Sequence, residues 1–495
     1  MPSRLALCWI VAAALLTGSA AQAFPQGNLR NIDNALSALR EKMDTPQAQE
    51  ATVLQLLFDA GLSEWVAGPA PQALPPQPGR DTVPSGPAQL MYLDLRLPLA
   101  RVDQSFGGKE LGALTGAQSS SDMVALVIRG GRARLRDITD HLHLSDGAMI
   151  RTPLVVWSDA ALDLTPGETL TMSRPDGAFL LNFGHVRING ATVRSAGTQN
   201  LRIPRFRPFV TTTASGVLEV DNATFRGLGF GNTRKFSGLT ILKNDLMRAP
   251  RASYVRNSRF YDVDSLYVKA VTGVEVSGSV FRGARYAPVV IDGASHARVT
   301  GNLFGADVRN NAIRLLNGAV SGFISGNVVL GGEKSGIAVR SASHNATVTH
   351  NIVSGRQGGG ITVADANCGR VDSNLVVANS KKGIEVRSSR DTLVRRNLVS
   401  GNRSAGIWIS AQEEQVNTHL TGNVLRQNGS GLATATAEHV VLSGNDFSEQ
   451  IPRLLGGDLA GQSRVIATDL RGDTPVTLSA WGQVLPDNQV RACGS

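Results

Sequence analysis

One short unit recurs seven times between residues 301 and 447: Gly or a polar residue, then Asn, then two residues that are mostly apolar. It reads Gly301-Asn302-Leu303-Phe304, Gly326-Asn327-Val328-Val329, His350-Asn351-Ile352-Val353, Ser373-Asn374-Leu375-Val376, Arg396-Asn397-Leu398-Val399, Gly422-Asn423-Val424-Leu425 and Gly444-Asn445-Asp446-Phe447. The Asn spacings are 25, 24, 23, 23, 26 and 22, and weaker copies begin at Asn222, Asn257 and Ser279. A period in the low twenties held over so many copies means a solenoid. Each period contains runs of four or five β-favouring residues separated by Gly, Asn or Ser. Each period is therefore one coil of an all-β parallel β-helix, its alternating apolar residues filling the interior. Asn tolerates the left-handed turn conformation, and its amide can bond the Asn stacked above and below. The leucine frame of leucine-rich repeats is missing. So are the Gly-Asp nonapeptides of calcium-binding β-rolls, and no calcium array is expected. The 53 Gly in 495 residues and 5% aromatic content fit many tight turns and argue against a helix bundle.

The ends carry different information. Arg4, the apolar run Leu5–Leu16 and the small-residue site Ala21-Gln22-Ala23 make residues 1–23 a secretory signal peptide. That run is shorter than the ~20 residues a spanning helix needs, so no transmembrane segment is expected after cleavage. Residues 24–68 form a short N-terminal helical segment: Leu29, Ile32, Leu36 and Leu39 fall at helical spacing, and Val53, Leu56 and Leu57 repeat it before Gly61. Capping of the following domain is the preferred role for these helices, over docking of a partner protein. Residues 69–89 hold seven prolines and read as an extended linker. Residues 90–210 are assigned to the first coils, 211–455 to the regular repeats, and 456–495 to a C-terminal cap. Cys8 leaves with the signal; Cys368 and Cys493 can pair in an oxidising compartment, although no spacing demands it. No Cys and His cluster has metal-ligand spacing, and no cofactor is called for. The formal charge of +9 favours a polyanionic partner. Export disfavours nucleic acid, which leaves an acidic polysaccharide.

A second strand follows each Asn unit by ten or so residues. Aligned, these strands begin at Ser265, Pro288, Ala312, Gly336, Gly360, Gly383 and Gly406. Their second and fourth residues point inward, and the third and fifth outward. Two outward columns result. One holds Tyr267, Val290, Arg314, Ala338, Thr362, Glu385 and Trp408; the other holds Lys269, Asp292, Leu316, Arg340, Ala364, Arg387 and Ser410. Arg forks carboxylates bidentately, and Tyr and Trp faces stack on pyranose rings, so the line suits an extended anionic sugar chain. A single outward Lys or Arg is ordinary solvation. The grouping of Tyr267, Lys269, Asp292, Arg314 and Arg340 over four coils is what points to a site.

Over roughly residues 130–470 the chain resembles the periplasmic mannuronan (alginate) C5-epimerases, a right-handed parallel β-helix family acting on polymer during export. The resemblance rests on Phe206-Arg207-Pro208-Phe209 followed by Asn222-Ala223-Thr224, on Leu228-Gly229-Phe230 with Lys235, and on coil-by-coil agreement from Asn257 to Asn423. Ser295-His296 and Gly456-Gly457-Asp458-Leu459 add to it. It implies a periplasmic location, an anionic polysaccharide substrate, and exopolysaccharide export or assembly proteins as partners. The family's Asp-Pro-His-Asp motif reads here Val290-Ile291-Asp292-Gly293, which puts Asp292 at the base position, and the family's Arg on the next coil falls at Asn317. Tyr267 matches a family aromatic.

C5 epimerisation requires neutralising the uronate carboxylate, removing the C5 proton from one face and returning one to the other. Asp292 is assigned as base, Tyr267 as donor from the opposite side, and Arg314 or Arg340 as replacement for the missing Arg. Lys269 orients the carboxylate, and Glu385, Arg387, Trp408 and His296 contact substrate. If the C4 oxygen leaves, the same site is a lyase; a non-catalytic guide for polymer is the other reading. A hydrolase would need a second groove carboxylate beside Asp292.

Overall fold

The computed structural model describes residues 29–43, 45, 51–69, 83–103, 111–230, 235–413, 416–437, 439–479 and 484–485. The expected signal peptide, most of the Pro-rich linker and Cys493 lie outside them; Cys368 is disulfide-bonded. Strands dominate, stacked into three sheets of 15, 12 and 15 strands, parallel except at their ends. The chain visits the three sheets in turn, one strand each per coil, in a right-handed parallel β-helix. Inward residues such as Leu266, Val268, Val289, Ile291, Ile313 and Leu315 form a continuous core. Within it Phe225, Phe260, Phe281 and Phe304 stack with ring centroids 4.9, 4.6 and 5.0 Å apart.

The repeated Asn builds the ladder its spacing predicts. From Asn302 to Asn445, each Nδ2 donates to the Oδ1 of the next Asn at 2.9–3.0 Å. That same Oδ1 also accepts the backbone N–H of the Asn one coil earlier, as between Asn351 and Asn374 at 3.0 Å. The left-handed conformation belongs to the residue before, with φ +61° at Gly301, +53° at His350 and +50° at Arg396. The ladder Asn turns its amide into the buried corner, so the bend falls on its predecessor. By that register Asn222 and Asn257 are bend residues (φ +48° and +50°), and Ser258 and Ser279 continue the ladder. A second ladder, Asn379–Asn402–Asn428–Gln450, runs beside the first.

The N-terminal helices α1 (Leu29–Met43), α2 (Val53–Asp59) and α3 (Ser63–Val66) do not cap the end of the solenoid. They lie along its flank. Ile32, Leu36, Leu39, Leu56 and Leu57 pack on Val280, Leu303, Val328, Ile352, Leu375 and Leu398 of the 12-stranded sheet. The reason lies in the repeat: of the two apolar residues after Asn, only the second faces the core, and the first needs an external cover. The described residues of 90–123 are not coils either. Gln89–Asp94 is an antiparallel strand against Val124–Arg129, and the helices Arg96–Asp103 and Leu111–Gly116 follow it. The linker ends docked, with Ala88 N–H donating to the Arg132 carbonyl. At the far end Val476–Ser479 pairs antiparallel with His439–Ser443 after a short helix, Ser463–Ala467.

Candidate functional site

The outer face of the first 15-stranded sheet changes character along the axis. Its first outward positions, Val127, Val155 and Leu181, are apolar and fully buried. Leu99, Val102, Leu114, Phe206, Phe209, Phe230 and Phe236 cover them. The Phe206-Arg207-Pro208-Phe209 segment thus forms an aromatic wall, with Phe209 stacked on Phe179 at 4.8 Å. Beyond the wall the same column continues as Thr211, Thr240, Tyr267, Val290, Arg314, Ala338, Thr362, Glu385 and Trp408. The neighbouring column, Lys269, Asp292, Leu316, Arg340, Ala364, Arg387 and Ser410, also keeps the register read from the strands.

Just past the wall, Tyr267 donates its hydroxyl to Asp292 Oδ2, and Asn317 Nδ2 donates to Asp292 Oδ1 at 2.9 Å. Tyr267 is 2% exposed and Asp292 4%. Asp292 therefore accepts from both sides in a nearly dry pocket, as a hydrogen-bonded carboxylate does. This differs from the arrangement expected of a base facing an acid across the sugar: the two side chains stand on adjacent coils and bond each other. Asn317 occupies the left-handed corner after its strand, φ +53°. That conformation lets its short amide reach back one coil. Leu242, Ala287, Val290 and Leu316 pack around Tyr267, and Tyr286 closes the cluster from the side.

Tyr286 accepts a hydrogen bond from Arg314 Nη1, whose guanidinium carbon lies 5.5 Å from the Tyr286 ring centroid. The turn carrying Tyr286 is tied down. Tyr286 N–H donates to the Asp264 carbonyl at 3.2 Å, and Arg285 Nε donates to the Asp264 carboxylate. Burial pushes the Asp264 carboxyl above its ordinary value, with Arg285 opposing the shift.

The other groove residues stand farther along. Arg340 and Arg387 are exposed, Lys269 is half-buried, and His296 sits exposed at a corner of the coil, off both columns. Glu385 and Trp408 lie four and five coils above Asp292, roughly 19 and 24 Å at ~4.8 Å per coil. Both are engaged already: Lys382 bonds Glu385 at 2.7 Å and covers the Trp408 ring at 4.5 Å. These two do not join the Tyr267 cluster. Tyr286 is invisible to strand alignment because it precedes its strand in a turn. Asn317 is visible only as a corner residue.

Charge pairing separates this face from the second 15-stranded sheet. There Arg132 pairs with Asp163, Arg187 and Arg251 with Glu219, Arg256 with Glu275, and Arg395 with Asp372. Among the described residues Arg314, Arg340 and Arg387 have no carboxylate within ion-pair distance.

The family model described as periplasmic copper-binding protein (NosD) matches residues 243–418 and 342–452. Among the described residues no three His, Cys, Asp or Glu side chains converge to hold a metal. A mannuronan C5-epimerase of Pseudomonas aeruginosa is 24% identical over 487 residues, spanning 81% of this chain and 88% of that protein. Its counterpart in Pseudomonas putida is 21% identical over 312 residues, or 57% of this chain. The chain spans 60% of that relative's length. The crystal structure of the periplasmic alginate epimerase AlgG superposes with a TM-score of 0.62 at 18% identity, covering 76% of this chain and 94% of that one. At this identity the structural likeness is one of fold. The chain is thus similar to mannuronan C5-epimerases in sequence and to AlgG in architecture.

Proposed function

We propose that this chain is a periplasmic polysaccharide-modifying enzyme, an alginate-type C5-epimerase acting on an anionic uronate polymer. The observation that carries the reading is the row of arginines without an ion-pair partner among the described residues, which begins two coils above Tyr267 on the outer face of the first 15-stranded sheet. An extended uronan laid along the sheet meets Arg314 and then Arg340 and Arg387, while the wall of Phe206 and Phe209 closes the other end. Neutralising a carboxylate is what makes a C5 proton removable, and Arg314 is the nearest unpaired guanidinium to the Tyr267–Asp292 pair.

In this reading Tyr267, not Asp292, touches the sugar. Its phenolic oxygen, having passed its own hydrogen to Asp292, takes the C5 proton from one face, solvent water returns a proton to the opposite face, and Asn317 fixes Asp292. Proton transfer of this kind contributes ~10²–10⁴-fold to a rate. Incubation of the purified chain with polymannuronate in deuterated water, followed by proton NMR, tests the proposal. Exchange at C5 without chain shortening is the expected result, falling at least ~10²-fold in Tyr267→Phe and Asp292→Asn. An unsaturated product would make it a lyase.

The near-complete burial of Tyr267 and Asp292 favours a second reading, a β-helix that guides polymer without changing it. Binding with no exchange would establish that one.

A further inference from the structure

The groove contains a contradiction for any enzyme reading. The Tyr267–Asp292 pair is sealed, 2% and 4% exposed, yet a sugar ring must reach it. The cover nearest to hand is Tyr286, which packs against the Tyr267 cluster and holds there through its hydroxyl on Arg314. Its backbone is fixed by the Asp264 carbonyl, and its neighbours by the Arg285–Asp264 and Ser265–Ala287 bonds. The main chain of the turn is held by these bonds, whereas the Tyr286 hydroxyl is held by Arg314. What holds that side chain down is a guanidinium with no carboxylate of its own among the described residues.

We propose that Tyr286 and Arg314 form a substrate-operated latch over Tyr267 and Asp292. An incoming uronate carboxylate displaces the Tyr286 hydroxyl from Arg314, because a charged acceptor binds a guanidinium more strongly than a neutral phenol does. Tyr286 then swings aside, and the sugar enters against Tyr267. The inference rests on the uronate reading above and adds to it a reason for carboxylate selectivity: a neutral sugar has nothing to offer Arg314 and leaves the latch shut. Tyr286 is a positioning residue in this scheme, competing with substrate for Arg314.

The competition fixes the sign of the test. A closed latch lowers apparent affinity by the fraction of molecules that are open. Tyr286→Phe keeps the ring and removes the competing hydroxyl, so polymannuronate oligomers are expected to bind about three- to tenfold more tightly than to the wild-type chain. Calorimetry on both proteins measures this, with a melting curve of the variant establishing that it is folded. The carboxyl-reduced, neutral oligomer serves as comparison: it is expected to bind the wild-type chain more weakly than the anionic one and to gain affinity in Tyr286→Phe as well, because the open fraction governs both. Weaker or unchanged binding of the anionic oligomer to Tyr286→Phe would overturn the latch and leave the groove reading standing. A neutral oligomer left unaffected while the anionic one tightens would make the Tyr286 hydroxyl a plain competitor for Arg314 and would also overturn the latch. Failure of both proteins to bind the anionic oligomer would overturn the uronate reading and the latch together.

Discussion

Asp372 and Asp292 show how differently one residue type is used on two faces of this solenoid. Asp372 accepts hydrogen bonds from Arg395 at 2.9 Å and Arg396 at 2.7 Å. Burial by itself would raise its carboxyl, but the bonds from Arg396 and Arg395 outweigh it and hold the group below the usual carboxylate range. A depressed carboxyl stabilises the fold fully above its unfolded value of ~3.9, and loses that contribution as pH falls through the folded value. Asp372→Asn is therefore expected to melt lower than the wild-type chain at pH 7. The gap closes progressively below about pH 4, measured by thermal unfolding across pH. The ladder makes a comparable demand at single residues. Asn374→Ala removes the acceptor of the buried Asn351 N–H, while Asn351 Nδ2 keeps the Ile324 and Thr349 carbonyls. Each buried donor left without a partner costs roughly 1–3 kcal/mol, a loss that denaturant titration would register.

At the scale of elements, the flank helices α1 and α2 complete the 12-stranded sheet. Leu36 is 1% exposed against it, so Leu36→Ala is expected to destabilise by about 2–5 kcal/mol, read from the urea midpoint. The coils were legible in the sequence because the Asn spacing recurs and a β-helix has one solution for it. The groove columns were legible for the same reason, since register follows from period-2 alternation. The flank was not, although its signal was present: Leu303 beside Phe304, or Ile352 beside Val353, cannot both face one core. Tyr286 and the contact from Asn317 to Asp292 were beyond reach. They depend on turns whose side-chain directions no periodicity fixes.

For the whole molecule, each side of the three-sided prism meets its surroundings in a different way. One is strapped by helices, one is laced with ion pairs, and one carries arginines that have no ion-pair partner among the described residues. A polyanion held by those arginines is bound through long-range attraction that salt screens over ~8–10 Å near physiological ionic strength. The double variant Arg340→Gln, Arg387→Gln is expected to weaken polymannuronate binding and to flatten its salt dependence. Arg256→Gln, on the ion-paired face beside Glu275, should leave both unchanged, as titrations at several salt concentrations would show. The Phe206–Phe209 wall has a consequence of its own. Only the Thr211 and Thr240 coils separate it from Tyr267, whereas six coils of the same column run from Tyr267 to Trp408. If the chain binds a uronan as proposed, the polymer would be gripped lopsidedly, with a short arm against the wall and a long arm trailing. Short oligomers would then be altered near one terminus and spared in the middle, and this face would act as a ruler that counts from a chain end.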